Sequence, residues 1–319
     1  MNFRTLDLNL LRVFDTLMAE GSLTRSATVL SMTQPAVSHA LKRLHTAVGE
    51  ALFERTAYGM KPTARAQALW PQVRAALSGL QQALAPASFD PQQDAVNFRL
   101  GMVDATAVLL MPPLVSAIEQ QRALANLRVM PLTTRDPRQL IERGDFDLAV
   151  GHFPDAMASI ESSADETPLR HARLYNTRYV CVMRKDHPLA AAPLTVDAFC
   201  AAHHLLVSFS GRPHGFVDQA LTALGRRRRI VLTVNQFFTA GRVVTRSDLL
   251  TVLPERFVPA TGYRRELVTR ELPFELGQVR VEMLWHMRDD PNPAHRWLRE
   301  LIEAGVSESN EPTAGTLPA

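Results

Sequence analysis

The sequence predicts an α/β protein that begins with an all-α winged helix-turn-helix. Three observations carry this. The first 63 residues show helical periodicity interrupted at cap and turn residues, followed by a strand–turn–strand. From Val96 onward, short apolar strands alternate with helical stretches, the pattern of parallel sheets covered by helices. Charge is also uneven. Of 35 Lys/Arg and 32 Asp/Glu, residues 1–65 hold eight basic and five acidic side chains, so the remaining 27 of each sign cancel and the net +3 lies in the N-terminal segment. That asymmetry favours an anionic partner for this segment. With 319 residues, 46% hydrophobic and 21% charged, the chain can build two or three domains with their own cores.

Apolar residues at 10, 11, 13, 14, 17 and 18 give the first helix one buried face, and Gly21 supplies its left-handed stop. Ser22 caps a second helix, Leu23 to Leu30, in which small Ala27 permits a close crossing. Ser31 to Thr33 form the turn. Thr33 caps a third helix from Gln34 to about Val48, and Pro35 falls in its first turn, where proline is tolerated. Val37, Leu41 and Leu44 face the core. Gln34, Ser38, Lys42 and His45 fall opposite, flanked by His39 and Arg43. Gln and His can hydrogen-bond base edges, and Lys, Arg and Ser can hold phosphates, so this face suits the major groove of DNA. A solvated basic face is the plain alternative for such a helix, and the surrounding cap, turn and wing argue against it. The wing is a strand over 51–56, a turn over 57–60 and a return over 61–63, with Arg55 placed to reach the DNA backbone or minor groove and Thr63 to cap the next helix.

That helix spans Ala64 to about Ala85. Leu69, Val73, Leu77, Leu80 and Leu84 form a stripe read as a short dimer seam, with packing on its own domain as the alternative, and Pro71 departs from an ideal helix. Pro86 and Pro91 mark a break. Beyond it, strands are expected over 96–102, 127–132, 148–151, 169–175, 179–183, 230–234, 249–253 and 279–286. Helices are expected over 107–121, 137–143, 196–202, 216–224, 239–245 and 293–304. Ligands of open α/β sheets lie beyond strand carboxyl ends, near helix N-termini. The loops that fit carry Asp104 and Thr106, His152 and Phe153, Thr177, Ser208 to Gly215, and Phe237 to Thr239. Phe153 and Phe238 are candidates to sandwich an aromatic ring, His214 to donate to a carboxylate or phenol, and Thr106 to bind an anion, with Asp104 repelling a carboxylate unless it is paired.

The motifs Gly21-Ser-Leu-Thr, Thr33-Gln-Pro-Ala-Val-Ser38, Arg43-Leu44, Leu52-Phe53, Arg55-Thr56 and Pro62-Thr63 resemble the N-terminal signature of LysR-type transcriptional regulators. The resemblance implies that Thr33, Gln34, Pro35 and Ser38 open a recognition helix and that Arg55 touches DNA from the wing. Asp145 to Gly151, Arg178 to Pro188 and Ser247 to Phe257 are similar to the subgroup that senses salicylate, nitroaromatic-degradation products or plant flavonoids. It implies a two-lobed, periplasmic-binding-protein-like effector domain with an inducer between the lobes and chain crossovers near 166 and 268. His214 falls where that subgroup has a pocket histidine, while Thr177 stands where salicylate responders have a second one.

The expected domains are therefore 1–63, a winged helix-turn-helix; 64–90, a dimerising linker helix; 91–306, the effector domain, with lobe I over 91–166 and 268–306 and lobe II over 167–267; and 307–319, a disordered tail. The expected partners are double-stranded promoter DNA, a small-molecule inducer, a second copy in a dimer or tetramer, and RNA polymerase as a further candidate. Neither a cofactor nor a metal is expected. Cys200, His203 and His204 are a weak zinc set at one helix end, Cys181 reads as core rather than as half of a redox pair, and Arg226 to Arg229 as a solvated run. The absence of a signal-peptide-like or membrane-spanning stretch and of a disulfide framework points to the cytoplasm. The rival reading is a cytoplasmic solute-binding or enzymatic α/β protein with an N-terminal assembly domain; no P-loop, G-x-S-x-G or H-E-x-x-H supports catalysis.

Overall fold

The computed structural model describes residues 6–56, 59–83, 88–162, 167–209 and 211–308. The chain divides into two compact units: Met1–Pro86 with Glu142–Asp145, and Ala87–Ile141 with Phe146–Ala319.

In the first unit, α1 (Asn9–Glu20) ends at Gly21, whose φ of 62° is left-handed. Ser22 caps α2 (Leu23–Val29) by accepting from Arg25 N, and Thr33 caps α3 (Gln34–Val48) by accepting from Ala36 N. The strands β1 (Phe53–Thr56) and β2 (Gly59–Pro62) pair antiparallel as the wing. Thr63 then accepts from Ala66 N at 3.3 Å and opens α4 (Ala64–Ala83), which runs through Pro71. Leu10, Val13, Phe14, Val37, Leu44 and Phe53 belong to one core, with Phe14 edge-on to Phe53. The linker stripe joins that same core: Val73 is buried and Leu69 and Leu77 pack against it, leaving Leu80 exposed. These three positions thus pack on the DNA-binding module's own core, the alternative that the stripe allowed. Leu84 lies outside the described residues. Trp70 Nε1 and Arg74 Nε both donate to Asp15 Oδ1 (2.7 and 3.0 Å), pinning α4 to α1.

The second unit opens with β3 (Val96–Met102), α5 (Asp104–Gln120), β4 (Ala125–Pro131), α6 (Arg138–Glu142), β5 (Leu148–Gly151), α7 (Pro154–Ser162) and β6 (Leu169–Thr177). There follow β7 (Tyr179–Arg184), α8 (Val196–Ala201), β8 (His203–Val207), α9 (Phe216–Ala223), β9 (Arg229–Val234), α10 (Phe237–Val244), β10 (Leu249–Pro254) and β11 (Leu267–Arg270). The chain closes with β12 (Val279–His286) and α11 (Pro293–Glu308). Two five-stranded sheets result, ordered β4-β3-β5-β12-β6 and β11-β7-β10-β8-β9. Each is mixed: the strand that arrives from the other lobe pairs antiparallel, β12 with β5 and β6 in the first sheet and β7 with β10 in the second.

Sheet membership corrects the expected lobe boundaries. β6 lies in the first sheet beside β12, so the first crossover falls at Arg178 rather than near 166. β11 lies in the second sheet beside β7, so the return falls between Arg270 and Val279 rather than at 268. The expected tail shortens too. α11 runs through Glu308, with Leu298, Ile302 and Val306 buried in one core with Leu110 and Leu114 of α5, while 309–319 lie outside the described residues.

Candidate functional site

In the first unit the polar face of α3 stands free. Thr33, Gln34, Pro35, Ser38, His39, Lys42 and Arg43 are all exposed, as is Arg55 on β1. Val37, Ala40, Leu41 and Leu44 bury the opposite face, which fixes the roll of the helix and turns the polar row outward. Arg43 is held by Asp7 at 3.2 Å, so it reaches out only after a weak exposed pair opens. His45 does not share this row. Its Nε2 is buried without a hydrogen-bond partner, and burial lowers its pKa.

In the second unit a cavity of about 80 Å3 lies between the two sheets. Thr106, Phe153 and Thr177, expected there, do line it. Phe153 is fully buried, and Gly151 admits its ring: a Cβ at Gly151 would lie 2.9 Å from it. The remaining expected residues lie elsewhere. The Asp104 carboxylate accepts from the Phe238 backbone N–H at 3.0 Å and so links the start of α5 to the first turn of α10, outside the cavity. Phe238 is half exposed and edge-on to Phe257. α10 begins at Phe237, two residues before its expected start, and this roll places Phe237 rather than Phe238 in the wall. Ser208 and His214 line a second, more polar cavity of about 370 Å3 together with Arg135, Arg212 and Asp155. Thr134, Arg135, Val207, Phe209 and Phe216 line both cavities.

Residues that the sequence reading missed supply much of the inner wall: Tyr175, Tyr179, Phe209, Phe216 and Phe237. A signal for two of them existed. Tyr175 and Tyr179 flank Thr177 at two-residue spacing, which puts all three on one side of an extended chain. Burial raises the Tyr175 phenol to about 12 and also raises that of Tyr179, so both remain protonated donors. His152 Nδ1 donates to the Arg280 carbonyl at 2.9 Å, which leaves Nε2 as an acceptor, and burial lowers its pKa so that the ring is neutral near pH 7. Arg228, a further wall residue, is closed on Asp218 at 2.8 and 3.1 Å, and Asp218 also accepts from Gly215 N at 2.7 Å. Burial opposes the ionised Asp218, but the Arg228 hydrogen bonds and charge outweigh it and lower its pKa. The inner cavity therefore presents rings, hydroxyls and a neutral imidazole, with Arg135, Arg228 and Arg256 also in its lining.

The zinc and redox readings find no geometry. His203 and His204 open β8 just after the end of α8, exposed and buried respectively. Among the described residues no His/Cys/Asp/Glu group is arranged to hold a metal. The Cys181 thiol is buried and pushed up to about 12. Among the described residues no helix is long and apolar enough to cross a membrane.

A helix-turn-helix with an open polar recognition face, joined in one chain to a two-lobed domain with a ring-walled cavity, defines a ligand-responsive DNA-binding regulator. Residues 8–67 match the family described as bacterial regulatory helix-turn-helix protein, lysR family, and residues 91–307 match the LysR substrate binding domain. The HTH-type transcriptional activator NagR of a Ralstonia species is 35% identical over 310 residues, covering 97% of this chain and 100% of the relative. NahR of Pseudomonas putida, also an HTH-type transcriptional activator, is 36% identical over 303 residues, covering 95% and 98%. The crystal structure of a probable transcriptional regulator from Pseudomonas aeruginosa superposes with a TM-score of 0.74 at 27% identity, covering 94% of this chain and 97% of that one. The chain belongs to the LysR family of bacterial transcriptional regulators.

Proposed function

We propose that this regulator acts in the cytoplasm, without catalysing a reaction, by binding paired promoter half-sites as a dimer or tetramer and responding to a small aromatic inducer held between its lobes. On this reading Gln34, Ser38, His39 and Lys42 meet base edges and phosphates in the major groove. Thr33 and Pro35 set the entry of α3, Arg43 contacts the backbone after leaving Asp7, and Arg55 reaches from the wing. The inducer sits against Phe153, Thr106 and Thr177, with Ser208 and His214 at the polar mouth. Asp104 and Phe238 act at the joint between α5 and α10 instead of touching the ligand.

The observation that supports the inducer reading is the ring-walled cavity between the sheets. Its volume of about 80 Å3 is below the roughly 150 Å3 that takes up benzene in an engineered protein cavity, so a ring enters only when the lobes separate. That coupling makes lobe spacing the quantity a ligand changes, by favouring one arrangement over another.

The test is footprinting on the DNA upstream of the protein's own gene, with and without a panel of aromatic compounds. Protection of a paired site that shifts with one compound is the expected result. Gln34→Ala or Ser38→Ala should lower discrimination between operator and unrelated DNA by about 1–3 kcal/mol. Unchanged footprints in both variants would remove α3 from base reading.

A further inference from the structure

This inference rests on the proposed inducer site and concerns how charge is read there. Arg135 follows β4 in the first lobe, and Phe216 opens α9 in the second. The Arg135 guanidinium lies over the Phe216 ring, 4.9 Å from its centroid, and the centroid of the Tyr179 ring lies 4.5 Å from that of Phe216. Arg135 and Phe216 line both cavities, so this stack, built from both lobes, is the partition between the inner cavity and the polar vestibule.

The charges around the partition are not balanced. In the vestibule, the Asp136 carboxylate is turned onto Arg138 through hydrogen bonds of 2.8 and 2.7 Å. Arg135 and Arg212 therefore face Asp155 as the remaining acid of the lining. On the inner wall, Arg228 is closed on Asp218, and Arg256 lies over the Tyr175 ring with further interactions of its own. Among the described residues no carboxylate pairs with Arg135, whose neighbour is the face of a ring. A guanidinium so placed gains a charge-assisted, two-pronged hydrogen bond from a carboxylate, a stronger partner than a ring quadrupole.

The geometry points to Arg135 as the anion-reading residue of the inducer site, with Phe216 as the gate between its two chambers. The ligand class is an arene that carries its carboxylate on a short side chain. Its ring occupies the inner cavity, and its carboxylate reaches the partition, binds Arg135 and displaces the Phe216 ring from the guanidinium. On this proposal a carboxylate fixed directly to a deeply seated ring is held among the hydroxyls of Thr106 and Thr177, whereas a short side chain carries it to Arg135 at the partition. His214 and Ser208, on the vestibule wall, are placed to donate to the same anion.

The test titrates the full chain with 3-phenylpropanoate, benzoate and their two carboxamides, by calorimetry. Expected is at least a tenfold preference for 3-phenylpropanoate over its amide and over benzoate. Arg135→Gln should abolish the preference for acid over amide while leaving amide affinity within about twofold. Phe216→Leu should tighten acid binding several-fold, because the ring no longer competes for the guanidinium; an unliganded melting curve verifies that each variant folds. Equal affinity for acid and amide in the unaltered protein, or an unchanged ratio in Arg135→Gln, overturns this inference and leaves the aromatic-inducer reading standing. Tighter binding of benzoate overturns the placement of the carboxylate. Binding of none of the four compounds overturns this inference and the aromatic-inducer reading together.

Discussion

Gly59 fixes the wing to the helical module by lacking a side chain. Its φ of +128° is open to glycine, and a Cβ there would lie 2.8 Å from the Gly21 carbonyl oxygen. That same oxygen accepts from Met60 N at 3.1 Å, so the wing cannot move away without losing a hydrogen bond. Gly59→Ala is therefore expected to destabilise the first unit by about 1–3 kcal/mol and to weaken operator binding while sparing ligand binding by the second unit. Urea denaturation with a gel-shift titration measures both; an unaltered midpoint would make this close approach dispensable. Residues whose role is settled within one turn of chain were the legible ones. Ser22, Thr33 and Thr63 could be assigned as caps because cap chemistry reaches only three residues ahead. Phe237 and Phe238 were not separable in the same way. Which ring faces inward depends on the residue at which α10 starts, and a one-residue error turns a helix by about 100°.

Elements were legible where their periodicity was strong and ambiguous where burial came from a distant partner. The helices of the first unit follow from their spacing, but the α4 stripe satisfies both a dimer seam and a domain core, and its packing on α1 could not be read from spacing alone. β8 was missed because His203 and His204 look polar in sequence, although His204 is buried. His204 Nε2 donates to the Phe199 carbonyl at 2.7 Å, and its Nδ1 faces Arg228 Nη1 at 3.4 Å. This geometry requires the neutral ring. Burial first, and then the positive Arg228, lower its pKa to about 4, against opposing contributions from the Phe199 carbonyl and Asp218. The native state thus binds fewer protons than the unfolded chain between about pH 6.5 and 4, so stability falls as pH falls through that window. The loss due to His204 is on the order of 3 kcal/mol by pH 4. Asp289 works in the opposite direction, since burial raises its carboxyl to about 6, so acidification relieves a cost there. The His204 contribution is isolated by difference. Gln at 204 keeps a donor for Phe199 and an acceptor for Arg228 but does not titrate. Between pH 7 and 4.5 the unaltered protein should lose more stability than His204→Gln in urea titrations, and parallel pH profiles would rule the mechanism out.

At the scale of the whole molecule, the alternation of strands and helices made two α/β lobes legible, while the lobe boundaries were not. β6 joins the first sheet by pairing with β12, more than a hundred residues later, and no local pattern specifies that partner. The chain has a core for the DNA-binding unit and separate cores for the effector unit. Separate cores predict two unfolding transitions in scanning calorimetry, each raised by its own ligand. At 100 times its Kd, an inducer should stabilise the effector unit by about 2.7 kcal/mol and raise its transition by roughly 5–11 °C, whereas operator DNA should raise the transition of the first unit. Regulation then requires a coupling energy between the two binding events, and that coupling is reciprocal. If inducer changes operator affinity by some factor, operator DNA must change inducer affinity by the same factor. Calorimetric inducer titrations with and without saturating operator give one side of this equality, and gel-shift titrations with and without inducer give the other. Agreement within error would make the two lobes the bistable element that both ligands bias. If inducer moved the footprint while neither affinity changed, its control would lie instead in the shape of the protein–DNA complex, through promoter bending at constant occupancy.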